Sequence, residues 1–544
     1  MIDNMTYYKL GCNWGSGKPD FYKLLKQHSI VICAEEGMKK GDFVVITQGF
    51  RVIAMAQISS NVYPCTSKQE LEKEFANYDI DYEDWNNIAN AEIWELSQED
   101  RFIYQQRKGI CQIQDQKILE KAKTLIHNIF NRKMIKDCRK LLQGNYNIVL
   151  TGAPGTGKTY LAKEIAKDMG AEWKLVQFHP SYDYTDFVEG LRPIKEEDKL
   201  GFQRKDGVFK AFCKNALDSI NNSSFDNLYN SIVNDISNGT ITTYETLSGI
   251  VYPLKVVDGV IKYGCKNNGT EYKSENVDHI KLIYNHYLNH PEDIDYSFEG
   301  LRGLISKLTI GQITTLDPSE YTWTIKELLS RRKAKYNNYV FIIDEINRGE
   351  ISKIFGELFY SIDSGYRGTK GRVNTQYQNL VPDDDVFSEG FFIPENVYII
   401  GTMNDIDRSV ESMDYAMRRR FAWKEVTAES RQSMLDEDEA WGSSGKPSEE
   451  VIAEMKARMD NLNAAIIDQY QDGGEPLSNK DIVGLSKAYQ IGAAYFLKYA
   501  LYNDFEELWT NHLEGLLYEY LRGKTNIEEK IKRLHQAYND TTKH

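Results

Sequence analysis

The sequence predicts an α/β protein: a parallel sheet with helices on both faces, flanked by a β-rich N-terminal domain, an inserted α+β segment and an all-α C-terminal lid. Three observations carry that prediction. Apolar strand signals at Ile148–Leu150, Leu175–Phe178, Val340–Ile343 and Val397–Ile400 alternate with helical stretches, the pattern of parallel strands joined by helical crossovers. The first of these runs breaks into a glycine-rich loop and then a helix, Tyr160–Met169. After about Val426 strand signals give way to helical pattern through His544.

The remaining elements follow from length and periodicity. At 544 residues the chain exceeds one core, and about 150 residues per domain suggests three or four. Residues 1–110 open with β-rich runs, of which Asp42–Ile58 reads as two strands around a Gln48-Gly49 turn. Residues 111–143 turn helical and lead into the glycine loop as a connecting segment. The α/β region around the glycine loop spans 144–427. About 120 residues, 218–335, separate its second and third strands, too many for a loop, so they form an inserted subdomain. Within it Asp258-Gly259 marks a hairpin turn, which is a better reading of Asp258 than a nuclease carboxylate paired with Glu271 and Lys273. The lid spans 428–544, with Ser430–Glu449 a polar connection.

Bulk composition narrows the class. No apolar run approaches the ~18 residues that cross a bilayer, and the start, MIDNMTYYKL, lacks a signal-peptide pattern, so a cytoplasmic protein with no membrane partner is expected. Seven cysteines are scattered without a C-x-x-C pair, which argues against zinc and a disulfide framework. A net charge of −14 confines any DNA contact to a local patch. Residues 1–60 hold seven Lys/Arg against five Asp/Glu, which permits such a patch there.

The chemistry concentrates in four segments. Gly152, Ala153, Pro154, Gly155, Thr156, Gly157, Lys158 and Thr159 satisfy G-x-x-x-x-G-K-[ST], a loop whose bare backbone N–H groups and helix N-terminus cradle phosphates. Lys158 would reach the outer phosphates and Thr159 a Mg²⁺. The strand YVFIIDE ends in Asp344, which would hold the same Mg²⁺, and Glu345, which would orient and polarise the attacking water. Asn404, at the tip of the Val397–Ile400 strand, suits an amide that positions the terminal phosphate and the water. Asp414 precedes a run of three arginines, Arg418-Arg419-Arg420, of which Arg419 and Arg420 are candidates to stabilise transition-state charge across a subunit interface.

Beyond the glycine loop, the segments Val176–Pro193, Gly201–Phe209, Phe341–Leu358 and Glu395–Phe421 appear in the order found in a known family, and the chain resembles the McrB-type AAA+ GTPase subunits of modification-dependent (type IV) restriction systems. The resemblance implies a hexameric ring, GTP favoured over ATP, a separate McrC-like nuclease subunit, and an N-terminal domain that recognises modified DNA. It also implies nucleotide reading through Met-Asn-x-x-Asp-Arg-Ser, here including Asp407 and Arg408. Residues 1–110 bear a fainter likeness to PUA/EVE-like barrels, in which aromatic side chains wall a flipped base; Trp14, Trp85 and Trp94 are the candidates. The alternative is a MoxR-like, ATP-dependent AAA+ protein-remodelling chaperone, separable by nucleotide preference and by whether the neighbouring gene encodes a nuclease.

Overall fold

The computed structural model describes residues 5–540 apart from 14–19, 34, 36, 66–70, 72–73, 75–77, 79–86, 197–198, 266–270, 275, 291–292, 309–317, 336, 407–414 and 468–482. Its N-terminal part is an eight-stranded mixed sheet: β1 (Tyr7–Gly11), β2 (Ile30–Ile32), β3 (Phe43–Gln48), β4 (Arg51–Ile58), β5 (Tyr63–Pro64), β6 (Asn87–Glu95), β7 (Phe102–Ile103) and β8 (Ile110–Gln112), with helix α1 (Tyr22–His28). The order is β2-β6-β4-β3-β1-β8, with β5 on β6 and β7 on β4, and β1 runs parallel to β3. Side chains alternate across a strand, and here both faces are apolar. Val44 and Ile46 join one core with Leu10 and Ala54, while Phe43 and Val45 join a second with Tyr7 and Met55.

That second core is closed by helix α2 (Gln116–Asn145), whose Asp115 cap accepts from the N–H groups of Lys117 and Ile118. Its 30 residues extend about 45 Å. The first half (Ala122, Leu125, Ile126) covers the N-terminal sheet, and the second (Cys138, Leu142) packs on the nucleotide sheet. The expected connecting segment is thus a shared structural element. It also begins later than expected, because β8 pairs antiparallel with β1 and belongs to the N-terminal sheet.

The nucleotide region starts with β9 (Asn147–Gly152), α3 (Lys158–Asp168) and β10 (Glu172–Gln177). An antiparallel hairpin, β11 (Glu189–Glu196) and β12 (Lys199–Asp206), leads to α4 (Val208–Asn222). The inserted unit holds α5 (Phe225–Ser237), β13 (Thr243–Glu245), β14 (Val251–Val257), β15 (Val260–Cys265), β16 (Glu271–Ser274), α6 (Val277–Asn289), α7 (Phe298–Leu308) and α8 (Pro318–Lys335). Its four strands pair in sequence order, and Leu228, Ile232, Tyr263, Ile283 and Leu328 give it a core of its own. The β14–β15 turn puts Asp258 and Gly259 both at positive φ (52° and 73°), the conformation a two-residue hairpin requires. The unit starts after the expected boundary at Asp218: α4 runs through that point with Phe209, Phe212, Cys213 and Ala216 in the core of the nucleotide sheet.

The chain then returns through β17 (Tyr339–Asp344), β18 (Val397–Asn404) and β19 (Ala422–Glu425). These complete a five-stranded sheet of order β10-β17-β18-β9-β19, parallel throughout. Ile148, Leu150, Val340, Ile342 and Ile400 face α2 and α3; Val149, Phe341, Ile343 and Ile399 face the opposite core. The unexpected fifth strand, β19, is an edge of four residues, two of them charged, with no apolar run to announce it.

Beyond Val426 the lid forms around Met455, Leu462, Phe496, Trp509 and Leu534, with α9 (Glu449–Ile467) packed on α10 (Ile527–Asn539). The segment expected as a polar connection is instead two 3₁₀ turns, Glu429–Asp436 and Asp438–Ser444, that bury Arg431, Met434, Leu435 and Trp441. Its buried side chains are interleaved with carboxylates, which hides them from any hydropathy average. No helix among the described residues is long and apolar enough to cross a membrane.

Candidate nucleotide site

The carboxyl ends of β9, β17 and β18 meet at one edge of the sheet, the position where open parallel sheets bind ligands. β9 turns there into the glycine loop. A Cβ on Gly152 (φ 145°) would stand 2.2 Å from the Val426 carbonyl oxygen, so the loop leaves the strand by a route that glycine alone takes without strain. Gly157 (φ 78°) caps α3, and Lys158, the first helical residue, is buried. Its ammonium donates to the carbonyls of Gly152 (3.1 Å) and Ala153 (2.7 Å), while Thr156 Oγ1 donates to Ala153 at 3.0 Å. Pro154 and Gly155 are clasped by the lid: their carbonyls accept from Gly492 N–H (3.1 Å) and Ala494 N–H (2.9 Å).

Asp344 ends β17, and two hydroxyls converge on its Oδ1. Thr159 Oγ1 donates to it at 2.6 Å and Thr402 Oγ1, from β18, also at 2.6 Å. Thr402 Oγ1 in turn accepts from Glu345 N–H at 3.2 Å, so a residue absent from the sequence reading ties the two adjacent acids to the neighbouring strand. A hydroxyl two residues before the strand-tip amide, in Gly401-Thr402-Met403-Asn404, was the available signal. Glu345 sits at φ 52°, ψ 49°, a conformation costly outside glycine, and its carboxylate pairs with the Arg348 guanidinium. Asn404 closes β18 directly beside Gly152.

These side chains line one cleft of about 420 Å³, bounded by Gly155, Lys158, Thr159, Asp344, Glu345 and Asn404 on one side and by lid residues on the other. The arginines part company. Arg420 Nη1 donates to Ala416 O at 2.6 Å and its guanidinium lies 4.2 Å over the Phe359 ring, so it is held within its own chain. Arg419 is exposed. Asp407, Arg408, Asp414, Trp14 and Trp85 lie outside the described residues. Trp94, half-buried on β6, packs edge-on against Phe130 of α2 at 5.5 Å and donates to Glu92 at 3.2 Å. It contributes to the seam between sheet and helix.

Beside the site, a buried ionic cluster fixes the hairpin root. Glu189 accepts from Lys210 (2.7 Å), Arg204 (2.8 Å) and Tyr377 N–H (2.9 Å). Burial pushes its carboxyl up, but Lys210, Thr375 and the Tyr377 amide outweigh that and hold it below the usual range.

Fold, glycine loop and paired acids at the strand ends define a P-loop NTPase domain of the AAA class. Residues 147–247 and 304–421 match the AAA domain family, dynein-related subfamily; the break falls in the inserted unit. The chain is 26% identical over 383 residues to the "Type IV methyl-directed restriction enzyme EcoKMcrB subunit" of Escherichia coli (strain K12), covering 69% of this chain and 50% of that one. It is 22% identical over 297 residues to the "Type II restriction enzyme BsuMI component YdiS" of Bacillus subtilis (strain 168), covering 53% and 60%. Within the AAA class the chain is similar to McrB-type restriction subunits, and it spans about half the length of the first of these relatives.

Proposed function

We propose that this chain is the nucleotide-hydrolysing ring motor of a McrBC-like restriction complex, using GTP in preference to ATP and driving a partner nuclease on modified DNA. The observation that carries the hydrolytic reading is the convergence of Thr159 and Thr402 on Asp344, with Glu345 and Asn404 in the same cleft. Thr159 Oγ1 and Asp344 Oδ1 are hard oxygen donors 2.6 Å apart, a set that fits Mg²⁺. The ion would supply charge neutralisation at the terminal phosphates.

Lys158 and the N–H groups of Gly155–Thr159 bind the phosphates. Glu345 takes up the proton of the attacking water and orients it, and Asn404 positions that water against the terminal phosphate. Arg419 is the outward-facing arginine suited to a neighbouring subunit's site, while Arg420 braces the segment that presents it. Asp407 and Arg408 keep the nucleotide-reading role the resemblance implies, and Asp414 is the catalytic-site acid that precedes the arginine run. The N-terminal sheet, of PUA/EVE-like kind, reads the DNA, and hexamer assembly completes each site.

The restriction reading rests on the two relatives' names and on the ordered motif agreement. Phosphate release from GTP and from ATP, with and without the product of the neighbouring gene, tests it. GTP turnover raised by a nuclease-bearing partner is expected. Strict ATP hydrolysis indifferent to any such partner would contradict it.

A further inference from the structure

The cleft lining is of two chemical kinds: Lys158, Asp344 and Glu345 on the one hand, and Tyr160 of α3 with Met434, Ala440 and Leu497 of the lid on the other. A triphosphate seated in the glycine loop places its base away from its terminal phosphate. The apolar part of the lining, formed by Tyr160 with the lid, suits that base.

Glu439 also lines the cleft, its carboxylate 76% exposed and 3.7 Å from the Lys167 ammonium at the end of α3. Two more carboxylates lie near the Tyr160 hydroxyl, and both are engaged. Glu437 accepts from the Tyr160 hydroxyl, and Glu164 pairs with the buried Arg431 at 2.9 Å. Of these three carboxylates, Glu439 is the one that lines the cleft.

We infer that Glu439 reads the base and selects guanine. Guanine presents two adjacent donors, N1–H and N2–H₂, which one carboxylate accepts side by side. Adenine presents a single donor there, N6–H₂, beside the N1 lone pair, which a carboxylate repels. The lid thus supplies base discrimination to a site whose phosphate chemistry is indifferent to the base. This inference rests on the GTP reading above, and gives it a structural cause independent of sequence resemblance.

The test uses the full chain with Mg²⁺ and four probes: GTP, ATP, ITP, which lacks the N2 amine, and XTP, which carries an oxygen in its place. The wild type is expected to prefer GTP, with ITP weaker by about tenfold. Glu439→Gln should lose about 10- to 100-fold in kcat/KM for GTP, the loss falling on KM. It should gain on XTP, because an amide can donate to the 2-oxo group. Wild type that favours GTP with an unchanged GTP/ATP ratio in Glu439→Gln overturns the inference and leaves the GTP reading standing. Wild type that favours ATP overturns both. Should the variant fail to fold, equal use of ITP and GTP by the wild type overturns the inference on its own.

Discussion

The two sheets of this chain share a buried, apolar character and differ at their ends. The nucleotide sheet sends β9, β17 and β18 to one edge, where Thr159, Asp344, Glu345, Thr402 and Asn404 meet within one cleft. The N-terminal sheet is equally well packed, yet its described polar residues do not gather in this way. Lys9, for example, donates to the Lys108 carbonyl at 2.6 Å across its own sheet. A core built of Val, Ile and Phe thus reveals how a region folds, and the polar residues where its strands stop reveal what it does. Helix α2 joins the two sheets, so a change in one region is free to reach the other through packing even though the chemistry sits in one.

The comparison breaks most sharply at Lys158. Lys158→Ala is expected to weaken nucleotide binding by about 100-fold or more and abolish turnover; titration with a fluorescent nucleotide checks it. Next is Glu189→Gln, which leaves Lys210 buried beside a neutral amide and should cost about 3–5 kcal/mol, read as a lower denaturation midpoint at unchanged slope. Because Glu189 is held below its unfolded value, its stabilising effect is complete above about pH 4.3 and is lost as pH falls through the folded value. The variant should therefore show a shallower acid limb. In the N-terminal sheet, Met55→Ala removes a fully buried side chain and should cost about 2–5 kcal/mol without altering hydrolysis per folded molecule. A parallel loss of turnover would mean that α2 transmits strain between the sheets. The smallest effect is expected at Gly492→Ala. A Cβ there would fall 2.1 Å from the Gly155 backbone, so lid or loop must shift, costing about 1–3 kcal/mol and weakening nucleotide affinity in proportion.

The glycine loop and the acidic strand end were legible in the sequence because each packs its chemistry into a contiguous string with fixed spacing. Three of the five core strands, β9, β17 and β18, were legible for a related reason, since strands buried on both faces read as apolar runs; the largely exposed edge strand β10 showed only through its end, Leu175 and Val176. Strand β19 was not legible, because an edge strand needs no apolar run and Ala422–Glu425 carries two charges. The burial of Arg431 escaped notice because its compensating partners, Asn131 and Glu164, lie far away in sequence, on the helices α2 and α3. Thr402 stands two residues before the strand-tip Asn404, but its contact with Asp344 depends on the register of β17 against β18, which no local pattern encodes. The same holds for Glu439, which belongs to the cleft only once the lid has folded over α3.

The central claim, that the residues meeting at the ends of β17 and β18 hydrolyse a nucleoside triphosphate, is tested most directly by Glu345→Gln. Phosphate release and nucleotide retention are to be measured side by side in the wild type and in this variant. Turnover reduced by about 100-fold or more, with nucleotide still bound and assembly intact, is the predicted result. Turnover equal to the wild type would contradict the account.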